Sequence, residues 1–84
     1  MLVILKLSDT VAQNISEVSK FELNGNELKL IDEEGKPMVI YSFPLSEEHS
    51  KRLFDIILDN LSLCNYVDIN SLLENNFKDV ILEE

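Results

Sequence analysis

Cysteine, tryptophan, glycine, proline and positive charge are all scarce in this chain, and each scarcity removes a class of protein. There is one cysteine, Cys64, and no tryptophan. A single thiol cannot close a disulfide within the chain, so the stapled scaffold of small secreted domains is excluded and a reducing cytoplasm is the expected compartment. Two glycines and two prolines leave little room for long flexible loops, and no repeat, linker or low-complexity segment is present. The N-terminal apolar run, Met1 to Leu5, is far short of the ~20 residues that a membrane-spanning helix needs. It has neither a basic leader nor a small-residue cleavage site, so no signal peptide is expected. Seven Lys and Arg face sixteen Asp and Glu, a net charge of −9. Binding to duplex nucleic acid or to an anionic membrane depends on cations that neutralise phosphates, so both are set aside as direct partners. A cationic protein surface is the complementary partner, and solubility is the simpler use of the same charge.

What is present suits one small domain, residues 1–84, of the α+β class. The length allows a single modest core, burying roughly 60–65% of the unfolded surface, and 45% of residues are hydrophobic. Residues 2–7, almost all branched and apolar, read as a strand buried on both faces. A polar stretch follows, with a short strand at Val11–Gln13. Val18–Leu23, Asn24-Gly25 and Asn26–Ile31 read as a hairpin, because Asn-Gly tolerates the positive φ of a type I′ turn. That turn sets Leu23 opposite Asn26, Glu22 opposite Glu27 and Phe21 opposite Leu28. Phe21, Leu23, Leu28 and Leu30 then share a face, and the diagonals Glu22–Lys29 and Lys20–Glu27 offset the like-charge pair. After the turn Asp32–Pro37, residues 38–43 are apolar at both parities, as in a strand covered on two sides.

Pro44 and Ser46 announce a helix, with Ser46 as N-cap and Glu47 and Glu48 at the positive end of the helix dipole. Leu53, Ile56, Ile57 and Leu61 recur at helical spacing, widened by Phe54 and Leu58. Lys51 and Asp55 stand four apart, the spacing of an ion pair. Asp68 and Asn70 are capping residues for a short helix ending near Asn75-Asn76, and Phe77–Leu82 reads as a final strand. The expected architecture is an antiparallel meander of about four strands packed by one main amphipathic helix, with a short C-terminal helix and strand.

No catalytic, cofactor or metal constellation is legible, and no enzyme is expected. His49 is the only histidine; a triad or zinc site needs partners that one helical turn does not supply, so it reads as a solvated first-turn residue. Cys64 lies beside Leu61 and Leu63 with no cation nearby in sequence, the setting of buried filler rather than of a reactive thiolate. Asp32-Glu33-Glu34-Gly35 lacks the alternating ligands of a calcium loop and reads as a solvated hairpin tip.

Charge is unevenly placed. Residues 1–52 hold nine acids and six bases, a balance of −3, and the remaining residues hold seven acids and one base, a balance of −6. The later acids are Asp55, Asp59, Asp68, Glu74, Asp79, Glu83 and Glu84, opposed by Lys78 alone. Carboxylates projected from one side present a row of negative charge to a basic groove, as phosphates do. Glu33, Glu34, Asp55, Asp59, Glu74 and Asp79 are the candidate contacts. In size, acidity and lack of catalytic chemistry the chain resembles the small inhibitors that phages and mobile elements direct against host nucleases, the anti-CRISPR and anti-restriction proteins; the likeness is of type and no motif carries it. It implies steric blocking of a basic, nucleic-acid-handling protein by nucleic-acid mimicry. The other reading is a self-associating structural or regulatory domain, a homodimer without an electrostatic target.

Overall fold

The computed structural model describes residues 2–82. Among the described residues six strands form two three-stranded sheets, and two helices close the core. The first sheet is built from β1 (Ile4–Lys6), β2 (Ala12–Asn14) and β6 (Tyr66–Asp68), with β1 in the middle. β2 runs antiparallel to β1 and β6 runs parallel to it. The second sheet is a meander of β3 (Val18–Asn24), β4 (Glu27–Asp32) and β5 (Pro37–Ser42), with β4 central. The α+β class and the main helix are therefore as expected. The meander itself has three strands, because the first strand belongs to the other sheet.

The β3–β4 hairpin turns one residue later than the Asn-Gly reading places it. Asn24 pairs with Glu27, Leu23 with Leu28, Glu22 with Lys29 and Phe21 with Leu30. Gly25 and Asn26 form the loop, with φ 62° at Gly25 and no positive φ at Asn26, as a type II′ turn requires. The partner strand has slid by two residues, and a slide of two leaves every side chain on its expected face. Electrostatics favour the observed register, because Glu22 now faces Lys29 instead of Glu27; within β3 itself Lys20 lies 3.1 Å from Glu22. Leu28 and Leu30 are fully buried, and an irregularity between Val18 and Lys20 leaves the Ser19 hydroxyl to donate to the Asp32 carbonyl at 2.9 Å.

β5 is an edge strand covered on one face only. Val39 is buried and Tyr41 half-buried, whereas Ile40, opposite Lys29, is 58% exposed. Apolar residues at both parities do not mean two covered faces here, since the helices pack against β6 and β1 of the first sheet. Past β5, the Asn26 side chain donates to the Phe43 carbonyl at 2.9 Å and the Phe43 amide donates to Asn26 O at 2.8 Å. The hairpin turn is thereby clamped to the segment that buries Phe43 and Leu45.

Helix α1 spans Glu47–Leu63 and buries Ser50, Leu53 and Ile57, one stripe at spacing three and four. Ser46 caps it, its hydroxyl oxygen accepting from the His49 amide at 3.3 Å. Ser46→Ala is expected to lower stability by about 1 kcal/mol, read from a urea-unfolding midpoint. Helix α2 spans Ile69–Phe77, capped by Asp68, and buries Ile69, Leu73 and Phe77 at intervals of four. The expected strand at Phe77–Leu82 is not formed: α2 runs through Phe77 and residues 78–80 are a turn. The short strand lies instead ahead of α2, as β6. Asn75-Asn76 does not stop the helix because the Asn76 amide group bonds back to the Leu72 carbonyl at 3.0 Å, and the apolar stripe continues past it. The tail is held by the Leu82 amide, which donates to Pro44 O at 2.8 Å.

Candidate interaction surfaces

The β4–β5 turn is an acidic tip whose backbone is organised by its own first carboxylate. Asp32 Oδ1 accepts from the amides of Glu34 and Lys36, both at 2.9 Å. Gly35 closes the turn at φ 84°, its amide donating to Asp32 O at 3.1 Å. Glu33 and Glu34 are left exposed, with Lys36 Nζ 4.0 Å from Glu34. Because Val18 pairs with Asp32, Glu17 arrives at the same end of the sheet. Glu17, Asp32, Glu33 and Glu34 together line an open cleft of about 280 Å³. Glu17 is the member that sequence reading missed, and the signal for it was the hairpin register itself. Among the described residues no group of three His, Cys, Asp or Glu is placed to hold a metal ion, and Asp32 spends an oxygen on its own turn.

The second group of candidate contacts lies on the helices. Asp55 and Asp59 are exposed on successive turns of α1, about 6 Å apart along its axis. Lys51 makes no ion pair with Asp55 among the described residues, and Arg52 lies over the Phe77 ring, 5.1 Å from its centroid. Glu74 is exposed on α2 and Asp79 in the turn beyond it, with exposed Lys78 between them in sequence. Asp68 has a structural role: it caps α2, accepting from the Ser71 amide at 3.4 Å, and lies 3.9 Å from Lys6 Nζ. Glu83 and Glu84 fall outside the described residues. The structure thus brings Glu33 beside Glu34 and Asp55 beside Asp59, whereas Glu74 and Asp79 stand apart, on α2 and in the turn beyond it.

An apolar end adjoins the second group. Leu63, four residues after Asp59, is 85% exposed, and Tyr66 is 53% exposed. Val3, Leu61, Ser62, Leu63, Cys64 and Asn65 line a wide cleft of about 550 Å³. Cys64 is exposed, which corrects its reading as buried filler. It is the C-cap of α1, where the chain leaves the helix in an extended conformation and carries the thiol off the buried stripe. A neutral disulfide reagent should therefore titrate one thiol in the native protein as completely as in denaturant; a thiol silent until unfolding would contradict this placement.

His49 is half-buried rather than solvated. Its Nδ1 lies 3.1 Å from the Ser46 hydroxyl and its ring meets Phe77 edge-on at 6.2 Å, so it helps join the start of α1 to the end of α2. No family model, curated protein or solved structure matches the chain, and its surfaces are read on their own residues.

Proposed function

We propose that this is an acidic protein-binding module that docks onto a basic partner and blocks it sterically, the partner being a nuclease or another nucleic-acid-handling protein. One observation carries the reading. Among the described residues only Glu22, Glu34 and Asp68 have a cationic group within 4.0 Å, so most of the negative charge is uncompensated within the fold and open to an outside partner. Such charge speeds encounter and sets orientation, while apolar groups supply the holding energy. Glu33, Glu34, Asp55, Asp59, Glu74 and Asp79 are the proposed contacts, acting without cofactor or metal. The proposed setting is a reducing cytoplasm, consistent with a single exposed thiol. No described helix is long and apolar enough to cross a membrane.

The test is affinity purification from the native host at low and high salt, followed by affinity measurement on the recovered partner. Binding should weaken steeply between 50 and 500 mM salt, as the screening length falls from about 14 to about 4 Å. An affinity indifferent to salt rejects the proposal. The exposed Leu63 and Tyr66 favour a second reading, self-association through this apolar end. Sedimentation separates the two by sign: a homodimer of chains carrying −9 tightens as salt screens their repulsion.

A further inference from the structure

We propose that Asn24 is a site of spontaneous, charge-adding modification, converting to aspartate and isoaspartate through a cyclic imide formed with Gly25. Eight asparagines are present: Asn14, Asn24, Asn26, Asn60, Asn65, Asn70, Asn75 and Asn76. Asn24 alone precedes glycine. The reaction needs the following residue's backbone nitrogen to reach the asparagine side-chain carbonyl carbon, and a side chain on that residue obstructs the approach. Gly25 has none, and open space surrounds the position where a Cβ would stand. Its amide donates to no acceptor among the described residues, being the first residue of a two-residue loop whose closing pair is Asn24 and Glu27. Asn24, Gly25 and Asn26 are all exposed, so water and hydroxide reach the site. The competing asparagines lack this combination. Asn60, Asn70, Asn75 and Asn76 lie within helices, where most following amides are engaged in the helical ladder, and Asn65 and Asn14 precede Tyr66 and Ile15.

The chemistry balances without a cofactor. Base removes the Gly25 amide proton, the nitrogen attacks Asn24 Cγ, a C–N bond forms and the Cγ–Nδ2 bond breaks, releasing ammonia. Water then opens the five-membered ring at either carbonyl, giving an ordinary aspartate or an isoaspartate whose backbone is one methylene longer. Both products cost this hairpin its order. The Asn24 side chain now donates to Glu22 Oε1 at 3.1 Å, and that hydrogen bond is the foremost reason, ahead of Lys20 and Lys29, that the Glu22 carboxyl stays below its ordinary range. Conversion replaces the donor with a carboxylate beside Glu22 and across from Glu27. The isoaspartate also lengthens the chain at the pair that sets the β3–β4 register, on which the burial of Leu28 and Leu30 depends.

The test incubates the full chain at neutral and mildly alkaline pH and maps its tryptic peptides by tandem mass spectrometry. Asn24 should convert about tenfold faster than Asn60 or Asn65, the ratio that a barrier lower by about 1.4 kcal/mol produces. Its rate should rise with pH, and Asn24→Gln should abolish the acidic charge variants. Asn24→Asp reproduces the added charge without the longer backbone, so a midpoint of unfolding lower in the aged protein than in Asn24→Asp isolates the isoaspartate effect. Fragment ions that place the change on Asn26 or Asn65, or an Asn24 no faster than the helical asparagines, overturn the proposal.

Discussion

Phe77→Ala is expected to cost about 3–5 kcal/mol, the loss typical of truncating a fully buried aromatic. An 84-residue protein holds on the order of 4–13 kcal/mol in total, so the variant should be largely unfolded or on the edge of it. Phe77 is 1% exposed, ends the Ile69–Leu73–Phe77 stripe, and meets the His49 ring and the Arg52 guanidinium from α1. Its removal opens a cavity and breaks the contact that holds the two helices together at once. Arg52→Ala should cost far less, about 0.5–1 kcal/mol, the worth of a cation–π contact at an exposed site. Leu82→Ala, at an exposed position, should stay within about 0.5 kcal/mol because its hydrogen bond to Pro44 is made by the backbone. Urea unfolding of the three variants gives the order Phe77, Arg52, Leu82. A Phe77→Ala loss below about 1 kcal/mol would place this ring outside the core.

The parts of the fold that were legible are those where local chemistry and tertiary packing agree. Ser46, Glu47 and Glu48 with the following apolar stripe specify α1 from its own residues, and Asp68 does the same for the start of α2. Failures occurred where neighbours decide. Asn24-Gly25 marks a turn but is compatible with two loop frames, and the pairing of Glu22 with Lys29 distinguishes them only once both strands are known. Residues 38–43 show apolar side chains at both parities, yet sheet order makes β5 an edge. Phe77 to Leu82 has strand-like composition, but Phe77 continues a four-residue stripe whose value depends on α1 lying opposite. For Cys64 the preceding Leu61 and Leu63 are apolar while its surroundings are solvent, because a helix end changes which side faces the core. The acidic surfaces were half legible: counting charge finds Glu33, Glu34, Asp55 and Asp59, whereas Glu17 joins them only through the hairpin, and Asp68 leaves them for a cap.

Reversing charge at the two carboxylate pairs should separate the effect of place from the effect of total charge. Asp55→Lys with Asp59→Lys raises the net charge by four, from −9 to −5, and Glu33→Lys with Glu34→Lys does the same. All four residues are exposed, so neither double variant should shift stability by more than about 1 kcal/mol. The proposed partner is cationic, and each reversal turns two steering attractions into repulsions. The association rate at low salt should fall by about tenfold or more for the pair that faces the partner, with a smaller effect on dissociation. The α1 pair is expected to show the larger loss, because Asp59 lies one helical turn from Leu63, whose exposed side chain can anchor a bound partner. Equal losses from both pairs would mean that the net charge acts as a diffuse field and that no surface is preferred. No loss from either pair would remove electrostatic docking altogether and leave the apolar end as the surface through which this protein associates.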